Sequence, residues 1–236
     1  MLERILPPVV AVASTRGELT GEQPFASELA QVARAVEKRR REFLTGRACA
    51  RRALARLDVA PQPIPVGERG EPVWPDGVVA SITHCESFRA CAAARSADLL
   101  TIGIDAEPNE PLPAGVRDDI AFGAERSLIE EGSRAAPSVR WDRLLFSAKE
   151  SVYKAWFPLA RRWLGFEDAV VEIDRDGAFS ARLLVPGPRP GGEEIKGFSG
   201  RWLLDGDLLV TAIAVRARKD GTGSTDFDAR QGVGEE

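Results

Sequence analysis

Segments that favour helix precede segments that favour strand twice along this chain, once on each side of residue 110. Residues 25–57 are rich in Ala, Leu, Glu and Arg and contain no proline, which predicts helix, and Gly46 is a candidate break between two helices. The first half then continues with predicted strands at 78–85, 88–96 and 99–107. The second half has predicted helices near 117–131 and 138–157 and predicted strands at about 168–174, 178–185, 198–204 and 208–215. This order is typical of an α+β fold with two similarly built halves, although the sequence shows no residue-level repeat.

The proline-rich segment 108–117 is the predicted boundary between the halves. It divides the chain into an N-terminal half, residues 1–107, and a C-terminal half, residues 108–216. Residues 217–236 are polar and rich in glycine, which predicts a disordered tail.

Charge and hydropathy exclude several classes of protein. The net charge of −4 argues against a nucleic-acid-binding surface, so an anionic ligand would need a local cluster of cations. The N-terminal apolar run is too short for a signal peptide, and no segment approaches the ~20 apolar residues of a membrane span. Cys49, Cys85 and Cys91 cannot all pair and do not form a C-x-x-C motif, which predicts reduced thiols and a cytoplasmic protein.

The predicted strand IGIDAE ends in two acids, Asp105 and Glu107. Side chains two residues apart in a strand point to the same side, so these carboxylates should converge. Converging carboxylates suit Mg²⁺, which one or two carboxylates usually hold together with waters and substrate phosphates. The alternative is a solvated acidic strand end before a proline turn.

Glu150 lies in the predicted helix 141–157, on the side opposite the main apolar stripe. Phe146, Tyr153 and Phe157 fall on the same side as Glu150, so this carboxylate is predicted to lie among aromatic rings. A carboxylate in that setting needs a partner. Lys154 at i+4 would supply an ordinary ion pair, whereas a metal ion shared with Asp105 and Glu107 is the functional alternative.

The lone histidine, His84, ends another predicted strand and is flanked by Ser81 and Thr83. These hydroxyls, together with upstream guanidinium groups, could hold a phosphate. The upstream arginines considered are Arg39, Arg47 and Arg69. The alternatives are a histidine that only satisfies a structural hydrogen bond and arginines that are solvated. Further along, the segment with Trp163, Leu164 and Phe166 is interpreted either as core, which is favoured, or as a patch for a partner.

Three segments in fixed order resemble one enzyme family: SITHC at 81–85, GIDAE at 103–107 and FSAKESVYKAW at 146–156. The chain is similar to the larger, Sfp-type class of 4′-phosphopantetheinyl transferases. REFLTGRACARRAL at 41–54 and RRWLGFEDAVV at 161–171 extend the resemblance to most of residues 39–171. In detail the chain resembles the actinobacterial enzymes that serve mycolic-acid, polyketide and siderophore pathways.

This resemblance implies a monomeric pseudo-dimer of two α/β halves, with coenzyme A and Mg²⁺, or Mn²⁺, in the cleft between them. The implied metal ligands are Asp105, Glu107 and Glu150. Lys154 resembles the motif lysine near the reacting phosphate, and Lys149 resembles a second basic contact. The residues implied to grip or line the site of the 3′-phosphate of coenzyme A are Arg39, Arg47, His84, Ser81 and Thr83.

The implied reaction transfers 4′-phosphopantetheine from coenzyme A to a serine of an apo carrier protein and releases adenosine 3′,5′-bisphosphate. Glu150 is the candidate base for the serine hydroxyl, acting directly or through a water. Two alternatives are a metal-dependent diphosphate hydrolase and a non-catalytic module that binds carrier proteins. The hydrolase would need no protein acceptor, and the module would need no intact set of acids.

Overall fold

The computed structural model describes residues 1–19 and 21–217. The helices longer than one turn are α1 (Ala26–Gln31), α2 (Glu37–Ala55), α3 (Val116–Ile120), α4 (Ala124–Ala135) and α5 (Trp141–Ala160). The strands are β1 (Ala11–Thr15), β2 (Val78–Cys85), β3 (Phe88–Arg95), β4 (Leu99–Pro108), β5 (Ala169–Ile173), β6 (Ala178–Leu183), β7 (Gly197–Asp205) and β8 (Leu208–Arg216). None of the helices in these two ranges combines the length and the apolar character that crossing a membrane requires.

Two antiparallel sheets repeat one strand order. The first sheet has the order β1-β3-β2 and the second has the order β4-β8-β7-β6-β5. In the first half, β1 pairs with β3, and β3 pairs with β2. In the second half, β4 pairs in the same way with β8, and β8 pairs with β7. The hairpin β5–β6 is added to the second sheet only. The predicted α+β class is confirmed, and the shared strand order accounts for the repeated succession of helices and strands in the sequence.

The boundary predicted between residues 107 and 108 is displaced in the structure. Strand β4 pairs along its length with β8, from Leu99 opposite Arg216 to Pro108 opposite Leu208, and therefore belongs to the second sheet. The change from one sheet to the other occurs between β3 and β4, at residues 96–98. Sequence could not show this, because the ladder partner of β4 lies about a hundred residues further along the chain.

Two other predictions of local structure need correction or completion. Helix α2 runs through Gly46, and the helical segment breaks instead at residues 32–36. A Cβ at Gly46 would lie 3.3 Å from the Ile82 side chain, so the glycine marks a close approach of α2 to β2 rather than a helix end. Strand β1 was not predicted at all. The predicted disordered tail, apart from residue 217, lies outside the described residues.

The two sheets meet where β2 lies beside β4. The Ser81 hydroxyl accepts a hydrogen bond from the Ile104 amide at 3.1 Å, and the Thr83 hydroxyl accepts one from the Ala106 amide at 3.0 Å. Side-chain oxygens thus satisfy amide groups at the edge of β4 that no strand ladder reaches. This seam fixes the position of the strand that carries the two predicted metal ligands.

Helix α5 packs directly on β4. A Cβ at Gly103 would lie 2.0 Å from the Ser151 carbonyl oxygen, so only glycine permits this approach. Beside it, the Thr101 hydroxyl donates to the Ala155 carbonyl oxygen at 2.9 Å. The main apolar stripe of α5, including Leu144 and Trp156, is buried in the core of the second half. The helix with Glu150 and the strand with Asp105 and Glu107 are therefore held against each other.

Each half also contains one buried glutamate that ties three segments together. In the first half, Glu28 accepts hydrogen bonds from the Phe25 and Ile64 amides at 3.2 Å and from Arg51 of α2 at 2.8 and 2.9 Å. The Arg51 guanidinium lies 5.5 Å from the centre of the Phe25 ring. A buried carboxylate is thereby matched by one cation and two amides.

The second half repeats this arrangement. Glu125 accepts hydrogen bonds from the Phe122 amide at 2.9 Å, the Val171 amide at 2.8 Å and Lys149 of α5 at 2.8 Å. The Lys149 ammonium lies 5.3 Å from the centre of the Phe122 ring. In both halves the glutamate bonds the amide of a phenylalanine three residues before it and a cation on the long helix. The duplication that the sequence does not show at residue level is visible in these contacts.

Candidate active site

A cleft of about 930 Å³ opens between the two halves. Helix α2 contributes Arg39, Phe43 and Arg47 to its wall, and β2 contributes Ser81 and His84. The opposite wall comes from α5, with Tyr153 and Lys154 among the lining side chains. Both predicted groups of site residues, the cations of the first half and the motif helix of the second, thus border the same cleft.

His84 and Arg39 form a contact at one end of the cleft. Arg39 Nη1 lies 2.9 Å from His84 Nε2. A guanidinium only donates, so Nε2 accepts and the imidazole is neutral, with its proton on Nδ1. Burial lowers the pKa of His84, and the neighbouring Arg39 lowers it further. The structure therefore brings together two of the residues predicted to grip a phosphate.

Arg47 lies in the same wall but is buried. Its Nε donates to the Ile64 carbonyl oxygen at 3.0 Å, and its guanidinium lies 4.5 Å from the centre of the Phe43 ring. Burial lowers the pKa of Arg47 to about 10, against the opposing effect of Glu28. Arg47 is still a cation at neutral pH, and it also has a structural role. Arg69, on the loop before β2, lines the cleft as well.

Ser81 and Thr83, which are predicted to line the coenzyme A site, also have a structural role. Both hydroxyls accept hydrogen bonds from the β4 backbone, as described above. Ser81 also borders the cleft. Thr83 is buried and donates to Asp105 Oδ1 at 3.1 Å, so it orients this acid.

Asp105 is buried and holds two donors through one oxygen. Oδ1 accepts hydrogen bonds from Thr83 and, at 2.6 Å, from Lys154 Nζ. Oδ2 is buried and has no hydrogen-bond partner among the described residues. A buried carboxylate oxygen without a partner is costly, which makes Oδ2 a candidate ligand atom for a cation.

Glu107 is mostly buried two residues further along β4, and it pairs with an arginine that sequence reasoning missed. Its Oε2 accepts from Arg143 Nη1 at 2.9 Å. Burial, followed by the charge of Asp105, raises the pKa of Glu107 to about 7, while Arg143 and Lys154 oppose the shift. No signal in the sequence connects two residues 36 positions apart on different elements.

Glu150 is half-buried on α5, facing the side of the acids. Burial raises the pKa of Glu150. The positive charge of Lys154 lowers this pKa, and the negative charge of Asp105 raises it further. Glu150 borders a second cavity of about 300 Å³, and Tyr153 borders both cavities. Glu150 shares the lining of the second cavity with Tyr153, Trp163 and Phe166, and Tyr153 is one of the aromatic residues predicted on its side of the helix.

The segment Trp163–Phe166 is partly core and partly surface. Leu164 is buried, whereas Trp163 is 71% exposed and lies with its ring centre 5.0 Å from that of Tyr153. Trp163 and Leu164 line the second cavity together with Phe166. The favoured interpretation as core is correct for Leu164 and does not hold for Trp163.

Lys149 does not reach the cleft. Its ammonium is buried, bonds Glu125 at 2.8 Å and donates to the Phe166 carbonyl oxygen at 2.7 Å. Lys149 borders the second cavity, and the phosphate contact predicted for it stays a prediction. Lys149 and Lys154 are five residues apart, so they project from different sides of α5. Lys149 bonds the buried Glu125 in the second half as Arg51 bonds the buried Glu28 in the first half.

The donor set of this site fits a hard divalent cation. Asp105 raises the pKa of both Glu107 and Glu150, so the three carboxylates act on one another electrostatically. Carboxylate oxygens are the ligands that Mg²⁺ and Mn²⁺ prefer, and Asp105 Oδ2 is free to bind. Over residues 1–19 and 21–217, no three side chains of His, Cys, Asp or Glu already form a metal-binding group. Lys154 and Arg143 instead neutralise the two acids of β4.

Two family models match the chain in succession. The model described as the 4′-phosphopantetheinyl transferase N-terminal domain matches residues 27–94, and the model of the 4′-phosphopantetheinyl transferase superfamily matches residues 101–199. The gap between them coincides with the change from the first sheet to the second.

Individual proteins are similar over most of this chain. The chain is 52% identical to the 4′-phosphopantetheinyl transferase Svp of Streptomyces mobaraensis, over 90% of its own length and 85% of that protein. It is 44% identical to the 4′-phosphopantetheinyl transferase Npt of Nocardia iowensis, over 91% of its length and 99% of that protein. It is 43% identical to the 4′-phosphopantetheinyl transferase PptT of Mycobacterium tuberculosis, over 91% of its length and 98% of that protein.

Proposed function

The chain belongs to the 4′-phosphopantetheinyl transferase superfamily, and from this premise we propose that it transfers 4′-phosphopantetheine from coenzyme A to a serine of apo carrier proteins. It is an enzyme, and its acceptors are acyl or peptidyl carrier proteins of polyketide, nonribosomal-peptide, fatty-acid or siderophore synthases. The observation that carries the proposal is that Lys154, which borders the large cleft, bonds Asp105, while Glu150 on the same helix borders the second cavity.

We propose one orientation of bound coenzyme A, with its 3′-phosphate in the large cleft and its pantetheine arm in the second cavity. Its 3′-phosphate would contact Arg39, Arg47 and His84, which border the large cleft. Its diphosphate would then lie beside Lys154, and its pantetheine arm would continue past Tyr153 into the second cavity. Phosphate recognition by arginine is strong because the guanidinium offers paired, charged donors.

Asp105, Glu107 and Glu150 would hold Mg²⁺, or Mn²⁺ in its place. Once bound, such an ion neutralises charge on a diphosphate and orients it for displacement. The unpartnered Oδ2 of Asp105 supports this assignment. Thr83 keeps Asp105 in place by donating to its other oxygen.

The proposed reaction is a displacement at the phosphorus atom that carries pantetheine. The serine oxygen forms the new P–O bond, and the P–O bond to the adenosine-bearing phosphate breaks, so that adenosine 3′,5′-bisphosphate leaves with the electron pair. The serine hydroxyl is a weak nucleophile and needs a base. Glu150 accepts its proton, and burial makes Glu150 more basic than an exposed glutamate. Lys154 stabilises the negative charge that develops on the phosphate oxygens.

We further propose a monomer in the cytoplasm, without a nucleic-acid partner. The negative net charge of the chain supports the last point. Cys49, Cys85 and Cys91 are free thiols, in keeping with a reducing compartment.

The test is incubation of the protein with coenzyme A, Mg²⁺ and a panel of apo carrier proteins, followed by intact-mass measurement. A carrier protein that is a substrate gains about 340 Da, the mass of the phosphopantetheine group added as a modification. The same carrier protein with its acceptor serine replaced by alanine is the control and should gain nothing. Release of adenosine 3′,5′-bisphosphate without any modified carrier protein would instead identify a diphosphate hydrolase.

A further inference from the structure

Arg143 makes three hydrogen bonds that connect Glu107 to the segment leaving β4. Its Nη1 donates to Glu107 Oε2 at 2.9 Å, its Nε donates to the Glu110 carbonyl oxygen at 3.1 Å, and its Nη2 donates to the Pro111 carbonyl oxygen at 2.9 Å. All three nitrogens of one guanidinium are thus in use. We infer that Arg143 is a positioning residue that fixes Glu107 for a divalent cation, an inference that rests on the proposed function.

The two backbone contacts are what make Arg143 an anchor and not only a counter-ion. The carbonyl groups of Glu110 and Pro111 hold the guanidinium plane independently of Glu107. The side chain is 14% exposed and that of Glu107 is 17% exposed, so water competes little for this pair. Because the guanidinium is planar and its donors have fixed directions, its orientation determines where Glu107 Oε2 lies.

Only one oxygen of Glu107 is used in this way. Arg143 bonds Oε2, and Oε1 is left to face a cation together with Asp105 Oδ2, the buried oxygen without a partner. Two neighbouring carboxylates repel each other, and without an anchor Glu107 would turn away from Asp105. Arg143 opposes that movement by holding Oε2.

A lysine in place of Arg143 could not reproduce this arrangement. Its ammonium is a single point of positive charge and could not bond Glu107 and two separate carbonyl groups in one plane. Asp142, the residue before Arg143, also bonds this segment, since its Oδ2 accepts from the Leu112 amide at 3.0 Å. The start of α5 therefore fixes both the metal ligand and the residues that follow β4.

The experiment measures Mn²⁺ binding at pH 8 with coenzyme A present, by the loss of the electron paramagnetic resonance signal of the free ion. We expect Arg143→Gln to weaken Mn²⁺ binding roughly 10–100-fold, the range typical for residues that orient a metal ligand. Arg143→Lys should fall between Arg143→Gln and the unmodified protein. Arg140→Gln, an exposed arginine at the start of the same helix, should bind Mn²⁺ like the unmodified protein.

Mn²⁺ binding by Arg143→Gln that equals or exceeds that of the unmodified protein would overturn the inference. Asp105→Asn separates this failure from failure of the proposed metal site. If Asp105→Asn loses Mn²⁺ binding and Arg143→Gln does not, only the role of Arg143 is wrong. If Asp105→Asn keeps its Mn²⁺ binding, or if the unmodified protein shows no specific Mn²⁺ binding, both assignments are wrong. Thermal melts identify a variant that does not fold, and Arg143→Lys then carries the test.

Discussion

The ammonium of Lys154 lies 2.6 Å from Oδ1 of Asp105 and 3.1 Å from the Ile104 carbonyl oxygen. One cation of α5 therefore holds the strand that carries the acids and also faces the cleft between the two halves. A phosphate that reaches this point would meet a positive charge already oriented by two acceptors. Such preorganised charge costs little reorganisation when a substrate binds.

Replacement of His84 or Arg39 by alanine should weaken binding of coenzyme A more than binding of dephospho-coenzyme A. Each replacement removes a hydrogen bond to the charged 3′-phosphate, and such a bond contributes about 1.5–3 kcal/mol to binding. The measurement is KM for both substrates. Arg40→Ala, an exposed neighbour on α2, is the control. Equal losses with both substrates would place the 3′-phosphate elsewhere.

Glu107→Gln should change how stability depends on pH in metal-free protein. The pKa of Glu107 is raised from 4.5 to about 7, so the folded protein holds this proton more tightly than the unfolded chain does. The stability that protonated Glu107 contributes to the folded protein is fully present below about pH 4.5 and is lost as the pH rises through about 7. We therefore expect Glu107→Gln to gain free energy of unfolding relative to the unmodified protein between pH 5 and pH 8. Urea unfolding with a chelator measures this, and a difference that does not vary with pH would contradict the raised pKa.

Lys149→Met should destabilise the fold and leave coenzyme A affinity unchanged in the folded protein. Loss of one partner from a buried ion pair costs about 3–5 kcal/mol, because Glu125 remains buried without its cation. Lys149→Arg should retain most of the stability, since Arg51 holds Glu28 in the first half. Urea unfolding and calorimetry with coenzyme A provide the two readouts. The control is Lys196→Met, which removes an exposed lysine. A stable Lys149→Met protein with weakened coenzyme A binding would instead support the phosphate contact predicted for Lys149.

Arg161→Glu should weaken binding of an acidic carrier protein several-fold and reduce the salt dependence of that binding. Arg161 is 70% exposed and lies two residues before Trp163, which is 71% exposed beside the second cavity. An exposed aromatic residue next to a cation is a suitable anchor with steering charge. Arg162 is a poorer test, because it donates to the Pro186 carbonyl oxygen and lies over the Trp156 ring.

Calorimetry at two salt concentrations checks this prediction. Arg189→Glu, a reversal at another exposed arginine, is the matched control. Carrier-protein affinity that stays the same in Arg161→Glu would place the acceptor surface elsewhere.

Sequence alone determined the local features of this protein. The period of α5 placed Glu150 among aromatic residues, and strand geometry placed Asp105 and Glu107 on one side of β4. The order of helices and strands gave the α+β class. These features depend on neighbours within a few residues, so a residue pattern is enough to predict them.

Tertiary structure decided which groups satisfy the charges. Arg143 lies 36 residues from Glu107, Thr83 lies 22 residues from Asp105, and Lys149 lies 24 residues from Glu125. It also assigned β4 to the second sheet, through a partner strand at the end of the described chain. Such pairings form only when distant segments pack, because a buried charge takes whichever partner the folded chain brings within hydrogen-bond distance. No spacing in the sequence specifies that partner.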